Sequence, residues 1–253
     1  MGILNITPDS FFDGGKYDTK EKIVLHAEKM IVEGASIIDI GAVSTRPGAK
    51  GISTDDELER IIPAIVSVRN YFPEIIISAD TYTAKVTLKA VEAGADIIND
   101  VSGGTGDEKM FDVVTKAAVP YVLMNMKLDG VYENAVSDVM KFFIEQTNLA
   151  LYKGIKQIII DPGFGFGKTL EQNYELLSNL SKYKKFGFPI LAGISRKSMI
   201  NKVLNTKPET ALNGTTAANT IALMNGADIL RVHDVMEAIE AIKIVDKLTC
   251  FIG

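Results

Sequence analysis

At 253 residues, 47% apolar and 23% charged, the chain has material for a sizeable core and matches the length of about 250 usual for a (β/α)8 barrel. A net charge of −5 gives no general attraction to nucleic acid or an anionic membrane, so neither is expected as a partner. Cys250 is the only cysteine, which excludes an intrachain disulfide and a thiolate metal cluster and suits the cytoplasm. No apolar run reaches the roughly 18 residues a membrane span needs, and the first residues lack the basic stretch of a signal peptide.

Eight apolar runs of strand length follow one another, separated by helical patterns. The first runs from Gly2 to Ile6. A helical face of Ile23, Ala27, Met30 and Ile31 comes next, then Gly34 and a second strand run, with the loop Ser44 to Gly48 after it. Thr54 with Glu57 three residues on predicts a capping box for the helix carrying Leu58, Ile61, Ile62, Ile65 and Val68. Runs then fall at Ile75 to Ala79, beyond Gly94, at Val119 to Met124, at Gln157 to Ile160, at Pro189 to Ile194 and beyond Gly226. A last helix is expected from Val235 to about Leu248.

The glycines punctuate a weak repeat. Gly34, Gly94 and Gly226 each begin a Gly-Ala-x-Ile-Ile/Leu pattern, and Gly154 opens a looser copy. Each stands where a helix would end in a left-handed residue. Alternating strands and helices with nearly continuous apolar strands predict a parallel sheet covered by helices. Eight units closing on themselves make a single-domain α/β (β/α)8 TIM barrel over 1–253; an open doubly wound sheet is the competing arrangement.

In such a barrel chemistry collects at the C-terminal strand ends. Those ends read Asn5, Asp39, Asp80-Thr81, Asn99-Asp100, Asn125, Asp161, Ser195-Arg196-Lys197-Ser198 and Arg231-Val232-His233-Asp234, with Thr45 and Arg46 in the second loop. Acids and amides come from strands three, four and six, and cations from seven and eight. One part of the mouth is suited to N–H donors of an aminopyrimidine. Lys197, Arg231 and His233 are suited to a phosphate or diphosphate, which commonly brings Mg²⁺. Asp39, inside an apolar run, reads as a structural core acid and is left out of the site. Arg196 reads as a surface ion pair, His26 as solvated, and Lys168 as a solvated residue in the first turn of its helix.

The stretch Asp161-Pro-Gly-Phe-Gly-Phe-Gly-Lys-Thr169 ends like a nucleotide-binding P-loop, but only three residues separate Gly163 from Gly167 where four are needed. A dinucleotide fingerprint fails as well, because its third glycine would fall on Lys168. What remains is a strand that delivers Asp161 into a turn whose backbone can approach a ligand closely.

Seven segments in order carry a resemblance. They are Met1 to Gly15, Ser44-Thr-Arg-Pro-Gly-Ala49, Ser78-Ala-Asp-Thr81, Ile98-Asn-Asp-Val-Ser-Gly103, Asp161 to Lys168, Gly193-Ile-Ser-Arg-Lys-Ser198 and Arg231-Val-His-Asp-Val235. Together they resemble the dihydropteroate synthase family of pterin-binding barrels. The resemblance implies that the amine of 4-aminobenzoate displaces pyrophosphate from a dihydropterin-CH2-diphosphate, in an SN1-like course. It implies that Asp80, Asn99, Asp161 and Lys197 hold the pterin, and that Thr45, Arg231 and His233 hold diphosphate oxygens. Arg46 and Ser198 join the substrate contacts, Asn5 binds Mg²⁺, and Asp161, Lys197 and Arg231 carry catalysis. The loops Thr7 to Asp18 and Ser44 to Gly51 would close over the site. The partners implied are the two small substrates, with a homodimer the assembly to test.

Three departures stand out. Gly41-Ala42-Val43 replaces the family's Gly-Gly-Glu, Asn125 stands where a histidine is usual, and Phe12 replaces a serine. Two other readings stay open: a corrinoid methyltransferase using methyltetrahydrofolate, and a barrel that binds a pterin without turning it over.

Overall fold

A computed structural model describes residues 1–6, 19–43, 52–127 and 131–249. Thr45, Arg46, Phe12 and the two loops expected to close lie outside them. The strands are β1 (Gly2–Asn5), β2 (Ile37–Gly41), β3 (Ile76–Asp80), β4 (Ile97–Asp100), β5 (Tyr121–Met124), β6 (Ile158–Asp161), β7 (Leu191–Ala192) and β8 (Ile229–Leu230). The helices are α1 (Thr19–Val32), α2 (Thr54–Tyr71), α3 (Ala84–Glu92), α4 (Met110–Ala117), α5 (Ala135–Tyr152), α6 (Leu170–Ser178), α7 (Ser198–Leu204), α8 (Leu212–Met224) and α9 (Val235–Thr249).

Strands β1 to β6 pair in chain order, all parallel, and β7 pairs β8. Two seams close the cylinder. At the first, the Ile160 N–H donates to the Pro189 carbonyl at 2.9 Å, and Ile160 bridges Ile190. At the second, the Ile3 N–H donates to Val232 O and the Val232 N–H to Met1 O, both at 2.9 Å. The result is the (β/α)8 barrel, in which closure leaves no open edge. The open-sheet alternative is excluded.

The pleat then sorts side chains by a period of two. Ile38, Ile40, Ile77, Ile98, Leu123, Ile160 and Leu230 face the helices and join the main core. Ile97, Val122, Ile159 and Leu191 form a separate cluster inside the cylinder, with Ile37 and Ile229 against it. Two residues further along the same inward rows come Asp39, Asn99, Asp161 and Arg231. The barrel interior is therefore apolar at one level and polar at the next.

Local signals explain the joints. Gly34, Gly94, Gly154 and Gly226 have φ of 105°, 109°, 99° and 94°, the left-handed region their place in the repeat predicts. The helix start expected as a capping box at Thr54 lies one residue earlier and is a single N-cap bond. Ser53 is the N-cap of α2 and its Oγ accepts the Asp56 N–H at 3.1 Å. Glu57 is thereby released to point inward, where it is buried.

Asp100 has the opposite pleat phase to Asn99 and organises structure instead of facing the mouth. Its carboxylate accepts the Ser102 N–H at 2.7 Å, the Gly104 N–H at 3.0 Å and the Tyr121 hydroxyl at 2.5 Å. Burial pushes its carboxyl up, against these bonds, which favour the charge. Tyr121→Phe removes one donor from this fully buried acceptor and should lower the unfolding free energy by about 2 kcal/mol. Urea denaturation checks this; an unchanged midpoint would show that Asp100 does not depend on the hydroxyl.

Candidate active site

The polar level of the barrel gathers Asp39 from β2, Asp80 from β3, Asn99 from β4, Asp161 from β6, Lys197 after β7 and Arg231 after β8. Arg231 lies at the centre. Its Nε donates to Asp39 Oδ2 at 2.6 Å and its Nη2 to Asp80 Oδ2 at 2.6 Å. Asn99 Nδ2 donates to the same Asp39 oxygen at 3.2 Å. Asp39 is wholly buried, and its Oδ1 lacks a hydrogen-bond partner among the described residues.

Gly193 shows how close the other groups come. A methyl group there would lie 3.9 Å from Arg231 Cβ, from Asp161 Oδ2 and from Lys197 Nζ. The other Asp161 oxygen accepts the Gly163 N–H at 2.7 Å. Lys197 Nζ donates to Phe164 O at 2.5 Å and sits 4.6 Å from the centre of the Phe166 ring. Gly41 leaves room for Asp80, since a Cβ there would lie 3.2 Å from Asp80 Cβ.

Burial and charge act on these groups in different directions. Burial pushes the Asp80 carboxyl up to about 7, opposed by Arg231 and reinforced by Asp39. Burial also raises Asp161, against the pull of Lys197, the Gly163 N–H, Arg231 and Lys168. Lys197 is pushed down to about 8 by burial, with Asp161 opposing. Burial works against the Arg231 charge too, but Asp39 and Asp80 more than offset it and the guanidinium stays charged.

The sequence assigns the acids and the cations to different strands and different parts of the mouth. They interlock instead, because charges removed from water are stable only when paired. Asp39, read from the sequence as a core acid apart from the site, holds Arg231 and so belongs to it. The signal was available: Asp39 lies two residues beyond Ile37 on an inward row, and its register partner Ser78 is two before Asp80. Asn5 ends β1 beside Gly41, half-buried and on an inward row.

Other expected residues lie further out. His233 is exposed on the rim; its Nδ1 is 3.0 Å from Ser195 Oγ, which also accepts the His233 N–H at 3.2 Å. Ser198 is exposed at the start of α7 and does not join the Arg231 network. Arg196, at a left-handed φ of 57°, pairs with Asp234 through Nε at 2.9 Å, the ion pair its sequence position suggested. His26 is exposed.

Lys168 was expected in solvent and is buried. Its Nζ donates to Gly163 O at 2.8 Å, Tyr132 Oη at 3.1 Å, Asn125 O at 3.3 Å and Phe166 O at 3.4 Å. The segment after β5 roofs it with Tyr132, a long-range contact that no local pattern encodes. Asn125, where a histidine is usual, is buried and accepts the Tyr132 hydroxyl on Oδ1 at 2.7 Å. Ala42 packs into the core.

A closed barrel with acceptors and cations clustered at one mouth offers a polar cavity able to meet N–H donors and an anion together. The profile of the pterin binding enzyme family matches residues 1–233. A dihydropteroate synthase of Clostridium beijerinckii is 46% identical over 249 residues, covering 97% of this chain and 92% of that protein. The Xanthomonas albilineans dihydropteroate synthase with 4-aminobenzoic acid superposes with a TM-score of 0.94 at 40% identity, covering 98% of this chain and 92% of that one. The Clostridium difficile dihydropteroate synthase in the presence of pteroic acid gives 0.94 at 41% identity, over 98% and 95% of the two chains. The chain belongs to the family of pterin-binding enzymes.

Asp39→Asn leaves the largely buried Arg231 side chain, 19% exposed, with one carboxylate instead of two. It should cost about 3 kcal/mol of stability, the range for breaking a buried pair. Chemical denaturation measures it, and a loss near zero would show that Asp80 alone satisfies Arg231.

Proposed function

We propose that the chain works as a dihydropteroate synthase, joining 6-hydroxymethyl-7,8-dihydropterin diphosphate to 4-aminobenzoate and releasing pyrophosphate. The observation that carries this reading is the approach of Asp161 Oδ2, Lys197 Nζ and Arg231 to one point at Gly193. Asp161 Oδ2 accepts N–H groups of the pyrimidine edge, and Asp80 and Asn99 complete the acceptor set at the next strands. Arg231 reaches for the diphosphate while Asp39 keeps it anchored. His233, Thr45, Arg46 and Ser198 supply the outer contacts to the phosphates and to 4-aminobenzoate. The solved relative with 4-aminobenzoic acid supports the second substrate.

The reaction breaks the C–O bond between the pterin methylene and the diphosphate, and the electron pair leaves with oxygen. Positive charge then develops at the methylene, and the amine nitrogen forms the new C–N bond and loses a proton. Lys197 and Arg231 stabilise the departing oxyanion electrostatically. Among the described residues no three acidic, His or Cys side chains gather as a metal cage. Mg²⁺ fits only as a companion of the diphosphate, since it keeps waters and needs few protein oxygens. Asn5, an oxygen donor at the end of β1, would hold it. When bound, it would neutralise charge on the leaving diphosphate.

The reading treats 1–253 as one barrel domain in the cytoplasm; none of the described helices is long and apolar enough to cross a membrane. A homodimer is the assembly that size-exclusion chromatography should test. The Lys197 and Arg231 cations favour the synthase over a methyltransferase, which has no diphosphate to hold.

Pyrophosphate release with both substrates and Mg²⁺ tests the proposal directly; no release above background would reject it. Asp161→Asn should weaken pterin binding by about 2–4 kcal/mol, because a charged acceptor is lost and donors are left unmatched. Calorimetry giving the wild-type dissociation constant would refute the role assigned to Asp161.

A further inference from the structure

The Gly-rich turn between β6 and α6 is gripped from two sides. Lys197 takes the Phe164 carbonyl from the mouth. Lys168 takes the Gly163 and Phe166 carbonyls, and the Asn125 carbonyl of the neighbouring strand end, from behind. Gly163 has φ of 70°, and a Cβ there would lie 1.9 Å from Asn125 O, so the turn rests directly on the end of β5. The N–H of that same Gly163 holds Asp161 Oδ1. Lys168 thus acts on Asp161 through Gly163, whose N–H binds the carboxylate and whose carbonyl binds the ammonium, and it adds a positive charge that favours the ionised carboxyl.

We infer that Lys168 is a positioning residue for the reaction: its buried ammonium locks the 161–168 turn, keeps Asp161 aimed at the pterin edge and sets a positive charge beside it. The inference rests on the pterin-pocket reading above. The charged and titratable groups facing Lys168 are Asp161 at the end of β6, Lys197 after β7, and Lys127 and Tyr132 after β5. Asp161 favours the ammonium; burial, Lys197 and Lys127 oppose it and push it down to about 7. Below that pH Lys168 is charged, and its charge opposes the upward push that burial exerts on the Asp161 carboxyl.

Asn173 provides the control. Its Oδ1 accepts the Gly165 N–H at 2.6 Å, so it holds the same turn without charge. Binding of 6-hydroxymethylpterin is titrated by calorimetry over roughly pH 5 to 8, the range that brackets these groups. Wild-type binding tests the pocket reading; its absence removes both that reading and this inference. With wild-type binding present, Lys168→Met should weaken affinity roughly tenfold. It should also move the acid limb up by about one pH unit, since a nearby cation that lowered the Asp161 pKa is gone. Asn173→Ala should weaken binding without moving the limb. Asp80, itself pushed up to about 7, contributes to the acid limb of all three proteins, so the difference between the variants is the readout. If Lys168→Met does not fold, Lys168→Gln, which keeps two N–H donors, is judged by the same shift. An acid limb unmoved by loss of the Lys168 charge, or moved equally by Asn173→Ala, overturns the inference.

Discussion

One guanidinium shared by two buried carboxylates organises this molecule. Arg231 stands at the closing seam of the barrel, on the strand that joins the first. Its two bonds tie β8 to β2 and β3 across the interior. Alone, each of these charges would be costly to bury; together they are stable only in the geometry that closure provides. The barrel and the site are therefore one construction. The seam places Arg231, and Arg231 gives the Asp39 and Asp80 carboxylates a partner inside the barrel.

The arrangement also leaves the mouth short of positive charge near Asp161. Three acids and two cations line the polar level, and Lys197 is divided between Asp161 and a backbone carbonyl. A ligand that brings N–H donors to the acids meets that shortage, and an anion on the same ligand can meet Arg231 at the other side of the level. Binding energy can then be concentrated where charge develops, which is what a displacement at the pterin methylene requires.

Much of this was legible in the sequence, because period two and the repeated glycines give strands, order and inward rows. The strand ends identified Asp80, Asn99, Asp161, Lys197 and Arg231 as groups of one mouth, and the structure brings them together. What was not legible depends on contacts distant in the chain. Asp39 looked like a core acid because its neighbours are apolar, yet its partner is 192 residues away. Lys168 looked solvated because nothing local covers it; Tyr132, 36 residues earlier, does. The seventh strand is shorter than its apolar run: Pro189 has no N–H to give the ladder and the Ile190 N–H goes to the Asp228 carboxylate, though the Pro189 carbonyl still closes the seam. The cap at Ser53 was missed by one residue, since two adjacent hydroxyl residues offer the same local chemistry.

The central claim is that acids, an amide and cations from six strand ends form one pocket for one ligand. A crystal structure with 6-hydroxymethyl-7,8-dihydropterin diphosphate bound tests it most directly. The account predicts the pyrimidine edge within hydrogen-bond reach of Asp161 Oδ2 and Asp80, and the diphosphate against Arg231. A ligand seated away from Gly193, or one whose phosphates do not approach Arg231, would contradict it.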